Sequence, residues 1–216
     1  MSKSGSVRFS EFYYKNRHLI LNIYLALNIA VWIIWKIYQS YKNNAFGFIE
    51  ISFAVQNLVM LLMILFRTPH IKFDKNIFNQ SIAVIAFMSG LVFMGQPQSS
   101  NPDVISWSRS IVLLANILGI ISLINLGRGF GILIAFRSIK TKGLYAVVRH
   151  PMYTTDILLR CGYIISHFNP FTAVMFLVST ACYVYRAILE EKFLISIPEY
   201  QSYSTKVKYR FFPYLF

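Results

Sequence analysis

Residues 19–38 read LILNIYLALNIAVWIIWKIY, an unbroken apolar run in which Lys36 is the single charge. A run of this length matches the ~20 residues that an α-helix needs to cross the ~30 Å hydrocarbon core of a bilayer, where backbone N–H and C=O groups must be satisfied within the segment itself. Comparable runs recur at 46–66, 80–95, 108–126, 155–167 and 171–189. The recurrence excludes a water-soluble domain and predicts an all-α integral membrane protein of about six transmembrane or re-entrant helices. Composition agrees: the chain is 56% hydrophobic and 13% charged, against about a quarter charged in soluble domains.

Punctuation between the runs is strong. Arg67-Thr68-Pro69 ends the second and Gly95-Gln96-Pro97 the third, because proline cannot continue a helix and disfavours helical geometry in the residue before it. A polar turn loop, Gln98 to Asp103, precedes the fourth run, and Asn169-Pro170 separates the last two. At 1.5 Å per residue, 155–167 gives only about 20 Å of helix, too short to cross unaided, so 155–189 is expected to form a helical hairpin, either fully spanning or re-entrant. Trp32, Trp35 and Tyr38 gather toward one end of the first run, as in an interfacial aromatic belt. With no small-residue cleavage site after it, that run is read as a retained helix. No internal repeat is evident, and the chain is read as a single membrane domain, 1–216, with anchoring helices in 1–126 and a functional part in 127–216.

The net charge of +13 does not point to nucleic acid, because the basic residues sit in short segments between apolar runs. If the N-terminus is cytoplasmic, the inside segments hold Lys3, Arg8, Lys15, Arg17; Arg67, Lys72, Lys75; Arg128, Arg137, Lys140, Lys142, Arg149; and Arg186, Lys192, Lys206, Lys208, Arg210, which is 17 of 21 Lys and Arg. The positive-inside rule then predicts both termini on the cytoplasmic side. Cys161 and Cys182 lie in apolar runs with no metal-ligand spacing, and no metal is expected.

Three polar clusters converge on that side. Arg137 to Tyr145 is basic and contains Gly143, which permits a tight turn. Arg149-His150-Pro151-Met152-Tyr153 follows. At the end of the last apolar run, Tyr183, Arg186 and Glu190 share a helix face, with Glu191 beside them. A 155–189 hairpin returns these ends together and is expected to bring His150 near Glu190. Each piece alone has a structural reading: Arg186 and Glu190 as an i,i+4 pair with a snorkelling arginine, Arg160 paired to Asp156 four residues earlier, and Glu199, Tyr200 and Tyr203 as a polar tail. Their conjunction at one depth points to a ligand, since polar side chains inside a membrane protein mark functional sites.

These stretches, in order Gly127-Arg128-Gly129-Phe130-Gly131 with Thr141-Lys142-Gly143-Leu144-Tyr145, Arg149-His150-Pro151-Met152-Tyr153, then Arg186 with Glu190-Glu191 and Glu199-Tyr200-x-x-Tyr203 to Pro213, resemble the isoprenylcysteine carboxyl methyltransferase family and, more widely, membrane phospholipid N-methyltransferases. The resemblance covers about residues 120–213, and Thr154-Thr155 and Pro198 stand where the family commonly has glycine. It implies a membrane enzyme that uses S-adenosylmethionine to methylate a lipid-borne or prenylated group. It implies that Ser138, Ile139, Lys140, Tyr145, His150, Pro151, Met152, Tyr153 and Glu190 bind the cofactor, and that Arg186 faces the substrate, with Arg186 and Glu190 as the catalytic pair. An arginine there favours a carboxylate acceptor held bidentately, although the same group also binds phosphate. An amine acceptor, a nicotinamide-dependent reductase of the sterol-reductase type, and a non-catalytic membrane protein are the alternatives.

Overall fold

The computed structural model describes residues 22–214 apart from positions 28, 32, 39, 43–46 and 94. The basic N-terminal segment and Trp32 therefore lie outside the described residues. The fold is an all-α membrane fold. Among the described residues, seven α-helices follow in order: α1 (Asn22–Lys42), α2 (Phe48–Leu65), α3 (Ile77–Met88), α4 (Pro102–Leu126), α5 (Pro151–Ser166), α6 (Pro170–Leu194) and α7 (Pro198–Lys206). Four of them, α1, α2, α4 (continued to Gly129) and α6, are long and apolar enough to cross a membrane. Their outward faces carry exposed Leu27, Val31, Val55, Leu58, Leu114, Ile121, Val174 and Leu177. Such a belt would be an aggregation liability in water and is the expected lining against lipid tails.

Local sequence sets the helix ends. Asn101 and Asn169 cap α4 and α6 through their side-chain oxygens, each followed by a proline at the first helical position, where its missing N–H costs nothing. Asn76 caps α3 in the same way. Beyond the end of α2, Phe66 O accepts from Arg128 Nε at 2.7 Å, and Thr68 N donates to Arg128 O at 2.9 Å. These bonds tie the α2 exit to the segment after α4. An antiparallel pair of two-residue strands, β1 (Lys72–Phe73) and β2 (Ala135–Phe136), extends the tie, with Lys72 opposite Phe136.

Helix α5 packs most extensively on α4, through small residues that let the backbones approach. A Cβ at Gly162 would meet Ile111 and Val112 at 3.0 Å, and Ser108 Oγ donates to Gly162 O at 2.7 Å while lying 2.8 Å from Ser166 Oγ. α5 also differs from the sequence expectation. It begins at Pro151, not 155, because a proline at the first helical position starts a helix as readily as it stops one. Its 16 residues reach about 24 Å at 1.5 Å per residue, still short of the ~30 Å core. α6 has 25 residues and continues past 189, so Glu190 and Glu191 lie within its last turn and a half.

Candidate functional site

His150, at the N-cap of α5, lies with its backbone held by the C-terminal tail, which doubles back as a strap. Arg149 N and His150 N donate to Tyr209 O and Arg210 O, both at 2.9 Å. Arg149 Nη2 donates to Lys208 O at 2.8 Å, and Thr154 Oγ1 to Phe211 O at 2.9 Å. Thr154 thus fastens the strap to α5. Pro198 opens α7 at its first position.

The two adjacent glutamates of α6 divide their work. Glu191 gathers two guanidinium groups and an imidazole: Arg149 Nη1 at 3.0 Å, Arg210 Nε at 2.9 Å and His150 Nε2 at 3.1 Å. Glu190 accepts from the Tyr153 hydroxyl and from Arg186 Nε, the latter at 3.2 Å. The expected approach of His150 to Glu190 is therefore corrected by one residue. Successive helical positions differ by about 100° in direction, and the rotation of α6 turns Glu191, not Glu190, toward the histidine.

Arg186 does not snorkel. It is 3% exposed, and Nη1 and Nη2 donate to Ala83 O at 3.0 Å and Ile132 O at 2.6 Å. Its guanidinium lies over the Tyr153 ring at 4.9 Å. One side chain thus joins α3, the 127–150 segment, α5 and α6, and two of its five N–H groups remain beyond these bonds. The Tyr153 ring stacks on His150 at 5.3 Å with 6° between planes, and meets Tyr183 at 5.3 Å.

These groups line one cavity of about 1030 Å³. Of the residues predicted from sequence, Ser138, Ile139, Lys140, Tyr145, His150, Met152, Tyr153, Arg186 and Glu190 all reach its wall. Pro151 is buried in the first turn of α5 and is not among the wall residues. Gly143 makes the tight approach expected of it: φ is +61°, and a Cβ there would lie 2.2 Å from Asn125 Nδ2.

The wall also carries residues that the sequence reading left outside the site. Tyr200 and Tyr203, on α7, face the cavity instead of forming part of a solvated tail. Tyr203 Oη donates to Tyr145 O at 2.7 Å. Burial pushes the Tyr145 and Tyr203 phenols well above their ordinary range, and that of Tyr200 up to about 12, with Glu191 adding to burial at Tyr200 and Arg149 opposing it. Neither Arg149 Nε nor Tyr200 Oη completes a hydrogen bond, although both are buried. The signal in the sequence was the 3-residue spacing of Tyr200 and Tyr203, which puts them on one face of a short helix. Asp156, Arg160 and Tyr183 line the same cavity farther along α5 and α6. The expected Asp156–Arg160 ion pair does not form: Arg160 Nη1 donates to the backbone carbonyl of Asp156, and the carboxylate accepts from Tyr183 Oη at 2.8 Å.

Among the described residues, no group of His, Cys, Asp and Glu is arranged to hold a metal ion. Residues 109–200, from α4 to α7, match the family model described as phospholipid methyltransferase. The matched stretch, somewhat less than half of the chain, contains the Arg149–Tyr153 motif, Arg186 and both glutamates, and makes this region similar to membrane methyltransferases. No curated protein matches the chain.

Proposed function

We propose that the protein is a membrane methyltransferase that uses S-adenosylmethionine to methylate a group carried by a lipid. The observation that carries this reading is the single cavity in which the Arg149–Tyr153 motif, the Arg186–Glu190 pair and the α7 tyrosines meet. Its volume, about 1030 Å³, is at the upper end of the ~300–1,000 Å³ usual for small-molecule sites and leaves room for a cofactor and part of a lipid.

The residues present fit the cofactor. Arg149 and Tyr200 act on one another at the wall, yet neither Arg149 Nε nor Tyr200 Oη completes a hydrogen bond there, and buried polar groups in that state accommodate a ligand or water. Arg149 and Tyr200 would hold carboxylate and hydroxyl groups, and Ser138, Ile139, Lys140, Tyr145, His150 and Met152 would form the walls around them. Glu190 would face the cationic end through its charge, with Tyr153, which donates to it, holding the carboxylate in place. When bound, S-adenosylmethionine supplies a methyl carbon activated by a sulfonium.

What remains for the protein is positioning and exclusion of water, which together can lower a barrier by several kcal/mol without metal or covalent catalysis. Membrane helices exclude water, and the Arg186 bonds to Ala83 O and Ile132 O fix the floor on which the acceptor is placed. A carboxylate acceptor needs no deprotonation and would take the two remaining N–H groups of Arg186, as in isoprenylcysteine carboxyl methylation. The exposure of two carboxylates, Glu190 and Asp156, to the same cavity favours a second reading, an amine acceptor that gives up a proton before it attacks. The charge distribution of the loops supports a cytoplasmic face for the cavity mouth.

Incubation with methyl-labelled S-adenosylmethionine and a total lipid extract, followed by mild alkaline hydrolysis, tests both. Label in a lipid that is released as methanol identifies a carboxyl ester, and label that survives identifies N-methylation. Absence of any labelled lipid overturns the proposal.

A further inference from the structure

Arg160 is a buried cation with no carboxylate in direct contact among the described residues. It lies nine residues into α5, about 13 Å along the axis from Pro151 at 1.5 Å per residue, and is 7% exposed. Nη1 donates to Asp156 O and Nη2 to Ser89 Oγ, both at 3.2 Å. Tyr183 Oη is 3.5 Å from Nη2, and its ring lies 4.6 Å from the guanidinium carbon. Every one of these partners is neutral. Among the described residues, no carboxylate pairs with it, and Nε, fully buried, has no hydrogen-bond partner at all. The Asp156 carboxylate four residues away is turned to Tyr183 instead.

With the Asp156 charge reaching it only through the Tyr183 hydroxyl, the guanidinium is poorly compensated, which is unfavourable among membrane helices. The neutral dipoles fix the orientation of the fork but do not neutralise it. Arg160, Asp156 and Tyr183 line the same cavity as Tyr153 and Glu190. Gly90 leaves its edge clear, since a Cβ there would already lie 3.4 Å from Arg160 Nη2. A planar donor fork with an unused N–H suits the paired oxygens of a phosphate or carboxylate.

We propose that Arg160 anchors an anionic group, phosphate or carboxylate, of the lipid that enters this cavity. The identification of that lipid as the methyl acceptor rests on the function proposed above; the anion site itself does not. Two ring contacts, 4.6 Å from Arg160 to Tyr183 and 5.3 Å from Tyr183 to Tyr153, separate Arg160 from the Glu190 end. The anchored anion is therefore not the reacting group, and the methylated atom lies on the Tyr153 side, a short spacer away.

The test is lipid retention by the full chain in detergent, read by native mass spectrometry with dioleoylphosphatidic acid, oleic acid and the uncharged dioleoylglycerol as probes. Wild type is expected to retain one anionic lipid at least about tenfold more tightly than dioleoylglycerol, and Arg160→Gln to lose that preference while Arg160→Lys keeps part of it. Preference for phosphatidic acid or for oleic acid tells phosphate from carboxylate. No preference in wild type, or full preference in Arg160→Gln, overturns the proposal. Should Arg160→Gln fail to fold, as judged by gel filtration and circular dichroism, a photoactivatable phosphatidic acid on the wild type decides. Cross-links on peptides containing Asp156 or Tyr183 support the site, and cross-links confined to other peptides overturn it. S-adenosylhomocysteine binding, measured in the same samples, reports separately on the methyltransferase reading.

Discussion

Removing the charge of Glu191 while keeping its shape, as in Glu191→Gln, separates the two adjacent glutamates. Its carboxylate accepts from Arg149, His150 and Arg210 within 3.1 Å. Charge-assisted bonds contribute about 1.5–3 kcal/mol each, so a naive sum is roughly 4.5–9 kcal/mol. Two effects reduce it. Arg210 is 33% exposed on its side chain and its share is screened toward the ~0–1 kcal/mol of a surface pair. The three bonds also share one acceptor and are not additive. What remains is the cost of leaving the Arg149 guanidinium uncompensated, about 3–5 kcal/mol for a broken buried pair. For a chain of this size that corresponds to a fall in the melting temperature of roughly 6–20 °C. Thermal unfolding in detergent by intrinsic fluorescence measures it. Because Glu191 also fastens the tail strap to His150, the variant is expected to show a faster protease cut within residues 207–214. A melting temperature equal to wild type, with an unchanged cleavage pattern, would refute the assignment of Glu191 as the charge hub.

Glu190→Gln leaves the buried Arg186 guanidinium without its carboxylate and should also lower the melting temperature, but unlike Glu191→Gln it should leave the cleavage of residues 207–214 unchanged and weaken S-adenosylhomocysteine binding to the folded protein by at least about tenfold, as read by calorimetry. Arg186→Ala strands the carbonyls of Ala83 and Ile132 and is expected to cost about 3–5 kcal/mol; Arg186→Lys, which keeps the charge, should preserve folding but lose most methyl transfer in a labelled turnover assay. Gly143→Ala meets both a φ of +61° and the Asn125 side chain at 2.2 Å, and should lower stability by more than about 1 kcal/mol in the same melt. The Tyr200 phenol, raised to about 12 when folded, binds its proton more tightly in the folded state: its contribution is complete below the ordinary tyrosine value near 10 and is lost as the pH rises from there toward 12. A melting-temperature profile that declines less steeply above pH ~10 in Tyr200→Phe than in wild type meets this expectation, and identical profiles contradict it.

The membrane fold was legible because the apolar runs have the length of a bilayer and their ends carry Asn-Pro and Pro signals. The convergence of Arg149–Tyr153 with Arg186 and Glu190 was legible too, since a short hairpin returns its own ends. Helical phase was not. Whether His150 meets Glu190 or Glu191 depends on how α6 is rotated, and that rotation is set by contacts such as Arg186 to Ala83 O, more than a hundred positions away in sequence. The same limit hid Arg160: at i,i+4 from Asp156 an ion pair is the natural expectation, but Tyr183 reaches across from α6 and takes the carboxylate. The strap formed by residues 208–211 left no periodic signal, because it holds its place through backbone carbonyls that any residue supplies.

The central claim is that the cavity at the α5–α6 ends is built for an adenosyl cofactor. Calorimetric titration of the purified full chain with S-adenosylhomocysteine, and separately with NADPH, tests it most directly. The account predicts saturable one-to-one binding of the adenosyl compound, weakened by Glu190→Gln, and no heat from NADPH; binding of NADPH alone, or of neither, would contradict it.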